Sequence, residues 1–263
     1  MRLVGKKAFI TGATSGIGLA IAIRFAEEGA DVAINGRDRD KLTRINREYF
    51  NGKALEVVAD LSSVQDIRDA FQQIRQQFGR LDTLVVNAGV YQLKSACDIT
   101  EKEFDSMFEL NVKGAFFTMQ QSLPLLNESA SVITISSVAA QLASWNQTAY
   151  NASKAALSSL TKSFACGLAH KKIRVNSISP GLTDTPIWEK VDYRAQAEQA
   201  AERSPLGRQC TPQEVTASAV FLASDESAFM TTSDLLMDGG RAHIQDPAGW
   251  GSRNCPKKSY SPS

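Results

Sequence analysis

A chain of 263 residues with 43% apolar content is long enough to bury one well-packed α/β domain and too short for two of ordinary size with linkers. Its formal net charge of +1, with acids and bases mixed along the sequence, sets up no extended field, which argues against nucleic acid or an anionic membrane as partner and for a small molecule. The first apolar run is broken by Gly5-Lys6-Lys7, no stretch reaches the roughly 18 apolar residues of a membrane span, and Cys97, Cys166, Cys210 and Cys255 lack metal or disulfide spacing with His170 and His243, so a cytoplasmic protein without a metal is expected.

In chain order, apolar runs at 6–10, 31–35, 54–59, 81–86, 131–136, 173–179 and 234–237 predict seven strands, several apolar throughout, as in a parallel sheet covered on both faces. Helical periodicity fills the intervals. Ser62-x-x-Gln65, Thr100-x-x-Glu103 and Thr211-Pro212-x-Glu214 predict helix starts. The long helical segments 101–127 and 148–170 look apolar on more than one side, with Phe116, Phe117 and Phe164 expected to pair across a symmetry axis. Right-handed crossovers then give a single Rossmann-type domain: α/β, a doubly wound parallel seven-stranded sheet with its crevice at the carboxyl ends of the strands. Gly12, Asp60, Asn87, Ser137 and Pro180 all fall at such ends. The domain is expected over 1–245, with 182–207 a helical lid over the crevice and 246–263 a flexible, Pro/Gly/Ser/Lys-rich tail.

Two motifs carry chemistry. The first strand runs into Thr11-Gly12-Ala13-Thr14-Ser15-Gly16-Ile17-Gly18 and a helix. Gly12 permits the sharp turn, Gly16 the approach of a pyrophosphate and Gly18 close packing of helix on sheet, with unpaired helix N–H groups facing the anion. The second motif is Tyr150 with Lys154 one helical turn on and Ser137 thirteen residues upstream. A phenol with a pKa near ~10 is a poor acid–base group at neutral pH, and a cation beside it is expected to bring it down into the working range.

With these motifs the chain resembles the short-chain dehydrogenase/reductase family, its short-subunit branch, over nearly the whole sequence. Residues 11–18 match its glycine turn, Asp60 its adenine-contacting acid, and Asn87-Ala88-Gly89 its Asn-Ala-Gly element. Asn111 matches its helix Asn, Ser137, Tyr150 and Lys154 its catalytic positions, Pro180-Gly181 the turn after its sixth strand, and Asp238-Gly239-Gly240 the turn after its last. The family often has a second Asn before Asn-Ala-Gly, thought to brace the sheet. Here Val86 stands there, which puts that bracing in question.

The resemblance implies that Tyr150 exchanges a proton with the substrate oxygen, Ser137 holds that oxygen, Lys154 binds the nicotinamide ribose, and Asn111 bends its helix so that its carbonyl holds a relay water. Ser136 competes with Ser137, though the spacing favours the latter. A dinucleotide would lie on Gly12, Thr14, Ser15, Gly16, Ile17 and Gly18, then Arg37, Asp60 and Leu61, Asn87, Ala88 and Gly89, and Pro180 and Gly181, with Thr185 or Thr183 on its carboxamide. At the end of the second strand, Gly36 leaves room for a 2′-phosphate and Arg37 offers a fork for it, which implies NADP(H) over NAD(H). The competing reading leaves Arg37 solvated and gives Asp38 to NAD(H). Tyr91, Gln141, Trp145, Gln147 and Trp188 flank these elements and suggest an aromatic and amide-lined substrate pocket. Basic residues for an acyl carrier are lacking in Asn127-Glu128-Ser129-Ala130-Ser131, and Lys171 and Lys172 supply only part of such a patch, so a free ketone or alcohol ranks above a carrier-bound 3-oxoacyl chain. A homotetramer is expected. The reading from another class is a non-catalytic dinucleotide-binding redox sensor, which the presence of both Tyr150 and Lys154 disfavours.

Overall fold

The computed structural model describes residues 1–186 and 204–243. Trp188, most of the 182–207 lid and the 246–263 tail lie outside the described residues. The strands are β1 (Lys7–Ile10), β2 (Asp31–Gly36), β3 (Leu55–Val58), β4 (Leu81–Val86), β5 (Leu126–Ile135), β6 (Arg174–Pro180) and β7 (Asp234–Met237). They pair in parallel throughout in the order β3-β2-β1-β4-β5-β6-β7. The order reverses direction between β1 and β4, and this switch point opens the crevice at the carboxyl ends.

Alternation along each strand sorts the core into two layers. Ala8, Ile10, Val32, Ile34, Val85 and Ile133 pack with helices α1 (Gly16–Glu27), α2 (Arg39–Phe50) and α7 (Pro212–Ala223). Phe9, Ala33, Leu84, Val86 and Val132 face the other way, against α3 (Val64–Phe78), α5 (Ala115–Ser122) and α6 (Thr148–Leu168). Both faces are therefore sealed by helices, which is why the strands carry apolar residues at consecutive positions.

Local chemistry sets the helix ends. Capping boxes open α4 (Glu101–Phe108) at Thr100 and α7 at Thr211, the latter with proline in the first turn, both as predicted. The start of α3 is one residue later than predicted: Ser63 accepts from the Asp66 N–H, because Ser62 is taken up by the Asp60 carboxylate through its N–H and hydroxyl. The segment 101–127 is not one helix. After α4 comes a π-helical turn, Glu109–Gly114, then α5, and the chain is already in β5 at Leu126. Leu126 pairs with Leu81 before a register shift that resumes at Thr83 with Ser131, and Ser129 within the irregularity has φ 65°.

The amino terminus is tied to the end of α1 through Glu28. Its carboxylate accepts from the Arg2 backbone N–H at 2.8 Å, from the Arg2 guanidinium at 3.2 Å and from Arg24 at 2.8 Å. These donors, led by the Arg2 backbone N–H and opposed by burial, pull the Glu28 carboxyl down from 4.5 to about 2. A folded-state pKa below the unfolded one contributes stability above about 4.5 that is lost as pH falls towards about 2. Glu28→Gln is therefore expected to lower the melting temperature at neutral pH, and the gap from wild type should close across that acid window. A gap independent of pH would show that the ionised clamp contributes nothing.

Candidate active site

The glycine turn between β1 and α1 is held open by backbone geometry and packed from both sides. Gly12 and Gly16 have φ of 61° and 56°, a left-handed region that favours glycine. A Cβ on Gly12 would lie 2.9 Å from the Ala88 Cα, and one on Gly18 would collide with the Asn87 amide and the Gly12 carbonyl. Ser15 sits at the N-cap of α1 in extended conformation without closing a cap through its side chain, leaving first-turn N–H groups for an anion. The Ile17 side chain packs partly onto the core. Thr185 stands over this turn, its Cγ2 being 3.3 Å from a Cβ built on Gly16.

Bracing of the turn comes from Thr11 and Asn87 and from Asn35, which carried no role in the sequence. Thr11 donates its hydroxyl to the Val85 carbonyl and accepts from the Asn87 and Ala88 N–H groups. The Asn87 amide donates to the Thr11 and Gly12 carbonyls. Asn35, buried in β2, accepts from the Gly12 N–H and donates to the Val57 and Ala59 carbonyls. The second Asn replaced by Val86 is thus not needed for these bonds, and Val86 fills the core between β4 and β5.

At the end of β2, Arg37 is 70% exposed and its guanidinium lies 3.7 Å from the Asp60 carboxylate. Partial burial pushes the Asp60 carboxyl up, but the Ser62 N–H and hydroxyl together with the Arg37 charge outweigh it and hold the group below its ordinary value. Asp38 is occupied differently: it caps α2 by accepting from the Lys41 N–H. Leu61 is buried, with its carbonyl against Gly114 of the π turn. The room expected at Gly36 is filled: a Cβ there would run into the Thr14 methyl group.

Ser137, Tyr150 and Lys154 converge at the carboxyl end of β5. Ser137 caps a short 3₁₀ turn by accepting from the Ala139 N–H at 3.1 Å, and its hydroxyl favours the ionised form of the Tyr150 phenol. Ser136 is excluded from that place, its hydroxyl being shared with Ser158 and the Lys154 carbonyl on the sheet-facing side of α6. Lys154 is buried; its ammonium donates to the Ile135 carbonyl at 2.9 Å and lies 5.8 Å from the Tyr150 ring centroid. Burial pushes the phenol up to about 12 against the pull of Ser137, and burial pulls the ammonium down to about 8. The expected lowering of the phenol by its neighbouring cation is therefore reversed here: desolvation opposes the anion, and the ammonium points at a carbonyl rather than at the phenol oxygen.

Asn111 lies buried in the π turn and braces the site from behind. Its side chain exchanges two bonds with the Val90 backbone, at 2.8 and 2.9 Å, and donates to the Ser153 hydroxyl at 3.1 Å. Ser153 in turn donates to the Tyr150 carbonyl. A Cβ on Gly89 would sit 3.1 Å from the Asn111 amide oxygen and 3.7 Å from the Lys154 ammonium, so that glycine keeps the two helices close to β4. After β6, Gly181 faces the Asp238 backbone, where a Cβ would come within 2.8 Å. Thr183 is buried and donates to the Gly181 carbonyl, which leaves Thr185 as the more accessible of the two threonines.

Of the residues expected to line a substrate pocket, Tyr91 and Gln147 are at the centre. Tyr91 meets the Tyr150 ring edge-on at 4.8 Å and accepts from the Gln147 amide at 2.9 Å. Gln141 donates to the Asp234 carboxylate at 3.1 Å, an acceptor also held by Ser177 and Ser179. Trp145 is 79% exposed.

No helix among the described residues is long and apolar enough to cross a membrane, and no cluster of His, Cys, Asp and Glu there could hold a metal ion. The family described as enoyl-(acyl carrier protein) reductase matches residues 12–242. The chain is 37% identical over 244 residues to a 3-oxoacyl-[acyl-carrier-protein] reductase of Thermotoga maritima, covering 91% of this chain and 99% of the relative. It is 34% identical over 245 residues to an NADP-dependent (R)-specific alcohol dehydrogenase of Lentilactobacillus kefiri, covering 91% and 97%. A short-chain type dehydrogenase/reductase of Mycobacterium marinum has a crystal structure that superposes with a TM-score of 0.86 at 36% identity, covering 92% of this chain and 97% of that one.

Proposed function

This chain belongs to the short-chain dehydrogenase/reductase family of oxidoreductases, and we propose that it transfers a hydride between NADP(H) and the carbonyl or secondary alcohol carbon of a small molecule, with Tyr150 as acid and base. The observation that carries this reading is Tyr150 beside the buried Lys154 ammonium, with Ser137 at the carboxyl end of β5. In the reducing direction Tyr150 gives its proton to the substrate oxygen while Ser137 holds that oxygen; in the oxidising direction the proton moves back. Lys154 binds the nicotinamide ribose, and the Asn111 carbonyl anchors a water that connects the site to solvent. Hydride donation and acceptance are the chemistry the nicotinamide supplies when bound. The open first turn of α1 and the glycine cradle fit a dinucleotide pyrophosphate. Residues 1–245 act as one catalytic domain in the cytoplasm. The test is a panel of ketones and alcohols followed by nicotinamide absorbance. Absence of any turnover with either cofactor across the panel, in protein that binds the cofactor, would revive the sensor reading.

Preference for NADP(H) is supported by Arg37 at the end of β2 and by Asp38 being committed to its helix cap. One charge-assisted phosphate bond of about 1.5–3 kcal/mol gives a preference of roughly tenfold to a hundredfold. Arg37→Ala should remove it by weakening NADP(H) while leaving NAD(H) affinity nearly unchanged. Titration calorimetry checks this, and equal affinities in wild type would refute the role of Arg37.

A carrier-bound 3-oxoacyl substrate is the second reading, favoured by the descriptions of the matching family and of the Thermotoga relative. Against it, Lys172 is paired with Glu128 at 2.9 Å, which neutralises part of the Lys171–Lys172 patch. The free small molecule therefore remains the proposed substrate.

We propose a homotetramer built partly on α4, the π turn and α5. Phe104 and Phe108 stack at 4.4 Å, with Phe104 exposed, and Phe116 lines an open groove with Phe108, Val112 and Leu160. Phe117 and Phe164, expected on the same axis, pack against the sheet-side core, so the apolar face is narrower than the sequence suggested. Light scattering at micromolar concentration should give four times the chain mass, and a monomer would overturn the assembly.

A further inference from the structure

We infer that Thr14 and Gly36 form a steric latch, and that Thr14 decides whether the end of β2 can carry the acid that would select NAD(H). A Cβ at Gly36 would fall well inside contact distance of Thr14 Cγ2, while the Thr14 Cβ would be 3.6 Å away and Leu42 Cδ1 3.5 Å away, both ordinary contacts. The obstruction is therefore a single methyl group. The glycine turn cannot retreat to relieve it, because Asn35 pins the turn to β2 on both sides of the crossing. Its backbone carbonyl accepts from the Ala13 N–H at 2.9 Å and its side chain from the Gly12 N–H at 3.2 Å. The strand cannot retreat either, since Gly36 is in register with Val58 of β3 and accepts from the Ala59 N–H at 3.1 Å. Rotation of Thr14 is the remaining response, and a β-branched side chain has few rotamers to offer.

Two consequences follow for the cofactor site. Any side chain at position 36 pays a packing cost before it can touch a ribose, because an acid introduced there must first force Thr14, within the turn that should hold the pyrophosphate, out of its place. Conversely, the methyl group of Thr14 lies on Gly36 because nothing larger stands there. Selection against NAD(H) is in this sense built from apolar contact as well as from the Arg37 charge. The cofactor half of the inference rests on the proposed NADP(H) reading; the latch itself does not.

The experiment is a double-mutant cycle with two readouts. In thermal unfolding without cofactor, Gly36→Ala should lower the melting temperature by about 3–10 °C, the scale of an overpacked methyl group in a protein of this size. In a Thr14→Ala background most of that loss should vanish, because the obstructing Cγ2 is gone. In cofactor titrations, Gly36→Asp alone should bind both NADP(H) and NAD(H) worse than wild type. Thr14→Ala/Gly36→Asp should bind NAD(H) at least tenfold tighter than the single variant does and prefer it to NADP(H). Equal melting losses in both backgrounds, or a clean switch to NAD(H) by Gly36→Asp alone, would overturn the latch. If wild type shows no preference for NADP(H), the Arg37 reading falls, and the melting cycle still decides the latch on its own.

Discussion

Tyr150→Phe should leave the fold and cofactor affinity nearly intact and lower turnover by about 10²–10⁴, the range for loss of a positioned acid–base group. Only an oxygen is removed. The ring keeps its edge-on contact with Tyr91 at 4.8 Å, and Lys154 keeps its bond to the Ile135 carbonyl, so neither packing nor the ammonium needs the phenol oxygen. What is lost is the proton. With its pKa at about 12 the phenol is protonated throughout the neutral range, which suits it to donate a proton during reduction without prior tuning. Oxidation needs the phenolate, so its rate should climb with pH in wild type, and that dependence should disappear with the hydroxyl. Near-normal turnover by Tyr150→Phe on a substrate that wild type reduces would end the catalytic assignment.

The parts of this architecture legible in the sequence are those whose cause is local. Each strand has its own apolar run, and six of the seven start within one residue of where that run does; β5 begins at Leu126 rather than 131 because its first residues pair with Leu81 across an irregular register. The Thr100 and Thr211 boxes are legible for the same reason, as is the convergence of Tyr150 and Lys154, which one helical turn guarantees. What escaped are bonds between distant segments. Asn35 is a polar residue following the apolar run Val32–Ile34 of β2, and that mismatch was the available signal for a buried cross-link to Gly12. Ser153 gave no such signal, since a serine in a helix rich in Ala and Ser looks like a surface residue until Asn111 is seen to reach it. The phenol pKa was misjudged because spacing counts the cation and not the desolvation around both groups. The bond from Gln141 to Asp234, 93 residues away in sequence, is likewise invisible to local reading.

Lys154→Ala should fail in two ways at once, because one ammonium is asked both to bind the cofactor ribose and to stabilise the phenolate when it forms. Turnover and cofactor affinity should fall together, with cofactor Kd rising at least tenfold and kcat falling by about 10²–10³, on the scale of a lost charge-assisted bond and a weakened acid–base group. Tyr150→Phe lowers kcat alone, so the pair of variants separates proton transfer from binding. The ammonium also leaves a signature in pH. Its pKa of about 8 in the ligand-free protein belongs to the state that kcat/KM for the cofactor reports. Below that value Lys154 is charged and can bind; above it the charge is lost, so kcat/KM for reduction should be flat through neutral pH and fall on the alkaline side near 8, well before the phenol deprotonates. Lys154→Arg keeps a charge across this range and should abolish the limb near 8 even if its larger head costs affinity. An alkaline limb unchanged in Lys154→Arg would assign that ionisation to another group, and a Lys154→Ala enzyme with wild-type cofactor affinity would remove the lysine from the binding site.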